Sequence, residues 1–337
     1  MKMQERCRSG SAVAGALIGS LALSLAGSVW AQGAPAAYPT KPIRLVVPYL
    51  AGASSNDVLA RAFGPRLSTA VGQQVLVENK PGANGNTGSD FVAKAPADGY
   101  TLLIGVNGPI GISPSVYPKL PYDPVRDFAP VAMIASVPYV MLVKPDVPAN
   151  SIRELVALAK SRPGKMNYAS TGIGSTPHLC SAMFAVATDI DIMHIPYKGG
   201  AAIHTDMLGG QPIEIHCSGI VGSIGVFKTG KMRALAITSA KRSPLLPDLP
   251  TMQEAGVPGF EAASWAALLA PGKTAPAIVN YLAGETTKIL QSAEFGEFLR
   301  KQGSAPTVMS PAEVSDYIKV EIAKWAKVVK ATGIEVQ

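Results

Sequence analysis

Two short segments carry residue types that could recognise an anion. They are Tyr49-Leu50-Ala51-Gly52-Ala53-Ser54-Ser55-Asn56-Asp57 and Ser170-Thr171-Gly172-Ile173-Gly174-Ser175-Thr176-Pro177-His178. Each stands between a β-rich run and a stretch of helical period. A helix start offers unpaired backbone N–H groups and a partial positive charge. Glycine lets that backbone approach a ligand closely, and Ser or Thr adds donors. Two such turns, one from each half of the chain, would clamp a carboxylate outside the carboxyl ends of the strands. The other reading is helix capping by the same Ser, Thr, Asn or Asp residues. The two coexist, because a helix start has several free N–H groups. In the first turn Ser54 and Ser55 are the candidates to face a ligand, while Asn56 and Asp57 suit a cap or a first-turn acid. In the second turn the candidates are Ser170, Thr171, Gly174, Ser175 and Thr176, with His178 just inside the helix. Gly174→Val is expected to block ligand approach and to spare the fold.

Other motifs fall short of chemistry. Gly172-Ile173-Gly174 begins like a dinucleotide fingerprint, but the third glycine position is Pro177. Pro271-Gly272-Lys273-Thr274 resembles the end of a phosphate loop whose first glycine would fall at Ala267. There is no Gly-x-Ser-x-Gly elbow, no His-Glu-x-x-His and no Cys-x-x-Cys. His178, His194, His204 and His216 lack metal-ligand spacing. The expectation is a protein that is not an enzyme and carries no cofactor or metal. The competing readings are a periplasmic hydrolase, tested by ester turnover and its loss on Ser175→Ala, and a ligand-sensing subunit that docks a signalling partner. The segment Pro81-Gly82-Ala83-Asn84-Gly85-Asn86 reads equally as a loop lining a site or as a structural turn.

The elements that must position these turns alternate β-rich runs with amphipathic stretches, the pattern of an α/β fold with parallel sheets covered by helices. The expected strands are residues 43–48, 74–79, 101–106, 139–144, 166–170, 192–196, 213–217, 232–238 and 265–270. Asn107, after the third of these, and Cys217 and Ser218, at the end of 213–217, complete the candidate contacts. Ser151 with Glu154, and Ser310-Pro311 with Glu313, predict capping boxes for helices over 152–160 and from 311 to about 330.

Residues 1–31 read as an export signal: Lys2, Arg6 and Arg8, then an apolar run over 12–26, then Val29-Trp30-Ala31 as a cleavage pattern. That predicts a periplasmic protein starting near Gln32. Of 30 Lys and Arg and 23 Asp and Glu, the leader holds three and one, leaving 27 against 22 and a charge of +5. The basic residues are scattered, so nucleic-acid binding has no support. The remaining 306 of 337 residues exceed one ordinary core, which predicts two lobes. Cys180 and Cys217 remain after cleavage, and a disulfide and two buried thiols are both open.

The strings Tyr38-Pro39-Thr40-Lys41-Pro42-Ile43-Arg44, Val77-Glu78-Asn79-Lys80-Pro81-Gly82, Pro96-Ala97-Asp98-Gly99-Tyr100 and Leu120-Pro121-Tyr122-Asp123-Pro124 add a further signal. With Gly174-Ser175, His178-Leu179 and Ile195-Pro196-Tyr197-Lys198-Gly199-Gly200, the chain resembles the receptors of tripartite tricarboxylate transporters, the Bug family. The resemblance implies a type II periplasmic binding protein, two α/β lobes joined by two crossings around a ligand cleft. Residues 38–138 with 262–337 would form one lobe and 139–261 the other. It also implies a monomer that captures a small organic carboxylate and meets membrane transporter subunits transiently. The implied contacts are Tyr49, Ala51, Gly52, Ser54 and Asp57 from one lobe, and Thr171, Gly174, Ser175 and Tyr197 from the other. Two departures bear on selectivity: the first turn lacks the usual Gly-Gly pair, and the strand over 213–217 ends in His216-Cys217-Ser218 where the family commonly has Phe-Asp.

Overall fold

The chain opens its fold with β1 (Ile43–Val47), a β-branched run whose side chains alternate between two covered faces. Ile43, Leu45 and Val47 enter one apolar cluster and Val46 enters another, so helices pack on both sides of this strand. After β1 come α1 (Ser55–Val71), β2 (Val75–Asn79), a 3₁₀ turn (Ala83–Gly85), α2 (Asn86–Ala93) and β3 (Thr101–Val106). A buried π-helical segment (Asn107–Ile112) and α3 (Ser113–Val116) lead to the long β4 (Phe128–Val143). There follow α4 (Ile152–Lys160), β5 (Met166–Ser170), α5 (Thr176–Thr188), β6 (Ile192–Pro196), α6 (Gly200–Leu208) and β7 (Ile215–Gly219). The chain closes with α7 (Ile220–Lys228), β8 (Arg233–Ile237), β9 (Ala263–Pro271), α8 (Pro276–Gln291), α9 (Ala293–Lys301), β10 (Ala305–Pro306) and α10 (Pro311–Thr332). This computed structural model describes residues 38–52 and 55–334, so the expected leader and Ser54 lie outside the described residues.

The strand order β2-β1-β3-β9-β4-β7-β5-β6 contains two parallel trios, each centred on a strand that ends in one of the two turns. β1 pairs parallel with β2 and β3, and β5 pairs parallel with β6 and β7. Between the trios β4 changes partners. Its residues from Phe128 to Pro138 run antiparallel to β9, and those from Tyr139 to Val143 run antiparallel to β7. The sequence predicted a strand only from 139. Proline cannot donate to a ladder, so Pro130 and Pro138 interrupt the strand signal before it. In the fold Pro130 borders a register shift against β9, and Pro138 marks the change of partner.

Each trio has its own cores. Phe63 and Leu67 of α1, Leu282 of α8 and Phe295 of α9 cover one face of the first. Val314 and Ile318 of α10 cover the other. Leu155 of α4 and Phe184 of α5 pack on the second trio, with Ile203 and Met207 of α6 on its opposite face. The capping box of α10 forms as predicted, with Pro311 in its first turn. At α4 the box is incomplete: the Ser151 hydroxyl caps Glu154, but the Glu154 carboxylate takes the N–H of Asn150. One buried carboxylate joins the two regions at α10. Glu321 accepts from the Trp265 indole at 3.3 Å and from the Trp325 indole at 2.9 Å. Trp265 belongs to a first-trio cluster and Trp325 to a second-trio cluster.

Candidate functional site

The turn after β1 is tied down by a charged network. Asn79, the last residue of β2, donates to the Tyr49 carbonyl at 2.9 Å and to Asp57 at 2.8 Å. The other Asp57 oxygen accepts from the Gly52 N–H at 2.8 Å and from Arg61 at 2.9 Å, and Arg61 also donates to Asn79. Gly52 has φ +68°, a conformation glycine adopts without a Cβ penalty. Burial alone would raise the Asp57 carboxyl, but hydrogen bonds from Arg61, Gly52 and Asn79 outweigh it and hold the group below its ordinary range. Asp57 therefore holds the turn. The Gly52 N–H is likewise engaged, while Ala51 and Gly52 lie exposed at the tip.

The turn after β5 is held by neutral groups. The Ser170 hydroxyl bonds within the turn to Gly172 at 3.1 Å and lies 2.6 Å from His194 Nε2. The Gly174 N–H donates to His178 Nδ1 at 3.1 Å, and Ser175 caps α5 by accepting from the His178 N–H. The His178 and His194 rings stack with centroids 3.8 Å apart, and Tyr168 stacks on His194 at 5.0 Å. Burial, and secondarily the neighbouring His194, lowers His178 to about 3, and burial lowers His194 to about 4. Both rings are thus neutral at pH 7, and His178 Nδ1 serves as the acceptor that shapes the turn. One helical turn further on, Cys180 is disulfide-bonded to Cys217 of β7. That closes the alternative left open by the sequence.

The two turns meet where side chains are missing. Asn84 (φ +56°), after β2, donates its carboxamide N–H to the Gly174 carbonyl at 2.8 Å. A Cβ at Gly174 would lie 3.3 Å from Val116 and 3.7 Å from the Tyr117 ring, and Gly174 itself has φ +75°. Gly174→Val would therefore strain the backbone as well as fill the site, which corrects the expectation that the fold is spared. A Cβ at Gly108 would fall 2.8 Å from the Tyr49 hydroxyl, and one at Gly219 would fall 3.4 Å from the Ser55 hydroxyl. Tyr139 lies beside Thr176 and Ser264, whose hydroxyls partly offset the burial that pushes its phenol up to about 12. Burial, with Tyr139 and Tyr117 nearby, raises the Tyr49 phenol above its ordinary range. The groups gathered here are phenols, hydroxyls, a carboxamide and a helix start, all donors at neutral pH and none a cation. Such a set suits an anion held by dipoles.

Of the expected residues, Tyr49, Ser55, Gly174, Ser175 and Thr176 gather at this junction. Tyr197 instead donates to Asp206 at 2.8 Å. Asn107 is fully buried against Gly111 and Ala263, and Ser218 is a buried residue of β7 opposite Val140. Thr171 is half-buried within the turn. Asn84, Gly108, Tyr117, Tyr139 and Gly219 were not among the candidates. Only Asn84 had a signal, in the loop over 81–86 already read as one that could line a site.

A two-trio α/β fold with glycine- and hydroxyl-rich turns at the carboxyl ends of its strands is the architecture of the periplasmic binding protein class. Residues 59–334 match the tripartite tricarboxylate transporter family receptor, TctC. BugT of Bordetella pertussis is 37% identical over 301 residues, which cover 89% of this chain and 92% of BugT. A solved R. palustris protein with adipate is 38% identical, with a TM-score of 0.84, over 89% of this chain and all of that one. MatC from Rhodopseudomonas palustris with bound malate is 29% identical, with a TM-score of 0.80, over 87% of this chain and all of that one. This chain belongs to the TctC family of tripartite tricarboxylate transporter receptors, the group that includes BugT. Its relatives are periplasmic solute-binding receptors and not enzymes. No helix among the described residues is long and apolar enough to cross a membrane.

Proposed function

We propose that the protein captures a small organic acid, a mono-, di- or tricarboxylate, at the junction of the two turns and delivers it to membrane transporter subunits. The observation that carries this reading is the convergence of neutral donors from Tyr49, Ser55, Ser175 and Thr176 on one place, bridged by Asn84 and Gly174. The adipate and malate held by two relatives support the same ligand class. In this reading residues 38–138 with 262–337 form one lobe, residues 139–261 form the other, and the acid draws them together. The change of partner in β4 at Pro138 supports that division. The protein works as a monomer in the periplasm after loss of residues 1–31, and its meeting with the transporter is transient.

Thermal unfolding against a panel of organic acids tests the proposal. A ligand that binds only the folded state stabilises it by about 2.7 kcal/mol at a hundredfold excess over Kd. At least one acid at millimolar concentration should raise Tm by several degrees. A flat response across mono-, di- and tricarboxylates would remove the proposal.

A further inference from the structure

We propose that Asn84 is a positioning residue that sets the gap of the site, and through it the length of acid the protein accepts; this rests on the carboxylate-binding reading above. Both peptide units that flank the Gly174 Cα are pinned. The N–H on one side is held by His178 at 3.1 Å and the C=O on the other by Asn84 at 2.8 Å. His178 belongs to the same turn, so its bond holds whatever the rest of the molecule does. Asn84 belongs to the loop after β2 of the first trio, so its bond exists only while that loop and the second turn are together.

The surroundings fix the carboxamide from its other sides. A Cβ at Gly108 would lie 3.2 Å from both the nitrogen and the oxygen of the Asn84 carboxamide, and 2.8 Å from the Tyr49 hydroxyl. The absence of a side chain at Gly108 is what leaves room for the group. Asn84 also sits at φ +56°, a left-handed conformation that Asn tolerates better than most residues. A backbone turn, a glycine gap and a cross-trio hydrogen bond thus converge on one side chain. With this bond formed, the spacing between Tyr49 and Ser55 on one side and the second turn on the other is set by the protein. The acid must fit it. A further consequence is that the Gly174 carbonyl dipole, which would repel a carboxylate, is directed at a donor.

The test uses Asn84→Gly, which keeps the left-handed backbone and deletes the carboxamide, and Asn84→Asp, which keeps the shape but replaces the donor with an acceptor facing a carbonyl. Succinate, malate and adipate serve as probes, with Kd and dissociation rate measured for each. Loss of one hydrogen bond should raise the dissociation rate about tenfold in Asn84→Gly and more in Asn84→Asp. Preference among the three acids should flatten in both, a change that a merely structural defect would not bring. Unchanged dissociation rates and unchanged preference in Asn84→Gly would overturn the proposal. If the wild type binds none of the acids, the carboxylate reading fails by itself. Small-angle scattering without added acid then decides the role of Asn84: Asn84→Asp should enlarge the radius of gyration, and an identical radius would overturn it.

Discussion

The two turns look alike in composition and are held in opposite ways. After β1 the backbone hangs on an ionised carboxylate, with Asp57 gathering Gly52, Asn79 and Arg61. After β5 it hangs on an uncharged imidazole, with His178 accepting from Gly174 and stacked on His194, and a disulfide lies behind it. Neither solution puts a full charge of either sign at the place where the turns meet. The first neutralises its acid with Arg61, and the second keeps its bases unprotonated by burying them. The difference teaches that the same outcome, a turn with its N–H groups arranged for an anion, carries two different pH dependences.

Acid should break the symmetry with the largest effect. His178 and His216 sit at about 3 and His194 at about 4 in the fold, lowered first by burial, against an ordinary value of 6.5. Above about pH 7 these groups are neutral in both states and contribute no pH dependence. Below it the unfolded chain takes up protons that the fold refuses, so stability falls, by at most about 1.4 kcal/mol per pH unit for each histidine. Asp57 has the same sign in a lower pH window. Its folded value is depressed, so its stabilisation persists until the pH falls below the ordinary carboxylate range. Denaturant midpoints measured from pH 7 to 5 should drop steeply, and hydrogen exchange should show α5 loosening before α1. A flat profile over that range would sink the contrast.

Removing the covalent tie comes next. The bond spans a sequence separation of 37 residues, for which the chain-entropy account gives about 4 kcal/mol. The Cys180→Ser, Cys217→Ser double variant should lower Tm and weaken acid binding through the second turn while leaving exchange in α1 unchanged. Equal loosening of both turns would show that they are not independently supported. The smallest effect is expected at the first turn. Asp57→Ala leaves Gly52, Asn79 and Arg61 without their shared acceptor and should cost about 2 kcal/mol in denaturant unfolding, discounted for the half-exposed Arg61. It should also erase the part of the acid response that appears below pH 4.

Much of this was readable along the chain. β3, β5 and β6 lie at the bounds the sequence predicted, because a short β-rich run and the turn that ends it are both local signals. Residues 128–138 escaped because their two prolines weaken a local strand signal, and the change of partner at Pro138 shows how one is tolerated there. The strand predicted over 213–217 runs from Ile215 to Gly219, and that shift hid Gly219 and its approach to Ser55. The turns could be found, but not what faces them. Asn84 and Tyr139 meet the second turn through space, Gly108 meets Tyr49 and Asn84, and no periodicity records a contact between residues 84 and 174. The same holds for Cys180 and Cys217, whose pairing is set by how α5 lies on β7.

The carboxylate of Glu321 gives the protein a property unrelated to its stability. The sequence holds three tryptophans, Trp30, Trp265 and Trp325, and the first lies in the segment proposed to be removed. The mature chain then carries two indoles, both donating to one oxygen of Glu321, and each is packed with a different trio. That shared oxygen therefore links a side chain packed with each trio. Tryptophan fluorescence becomes an unlabelled optical gauge of that carboxylate, with both indoles of the mature chain bonded to it.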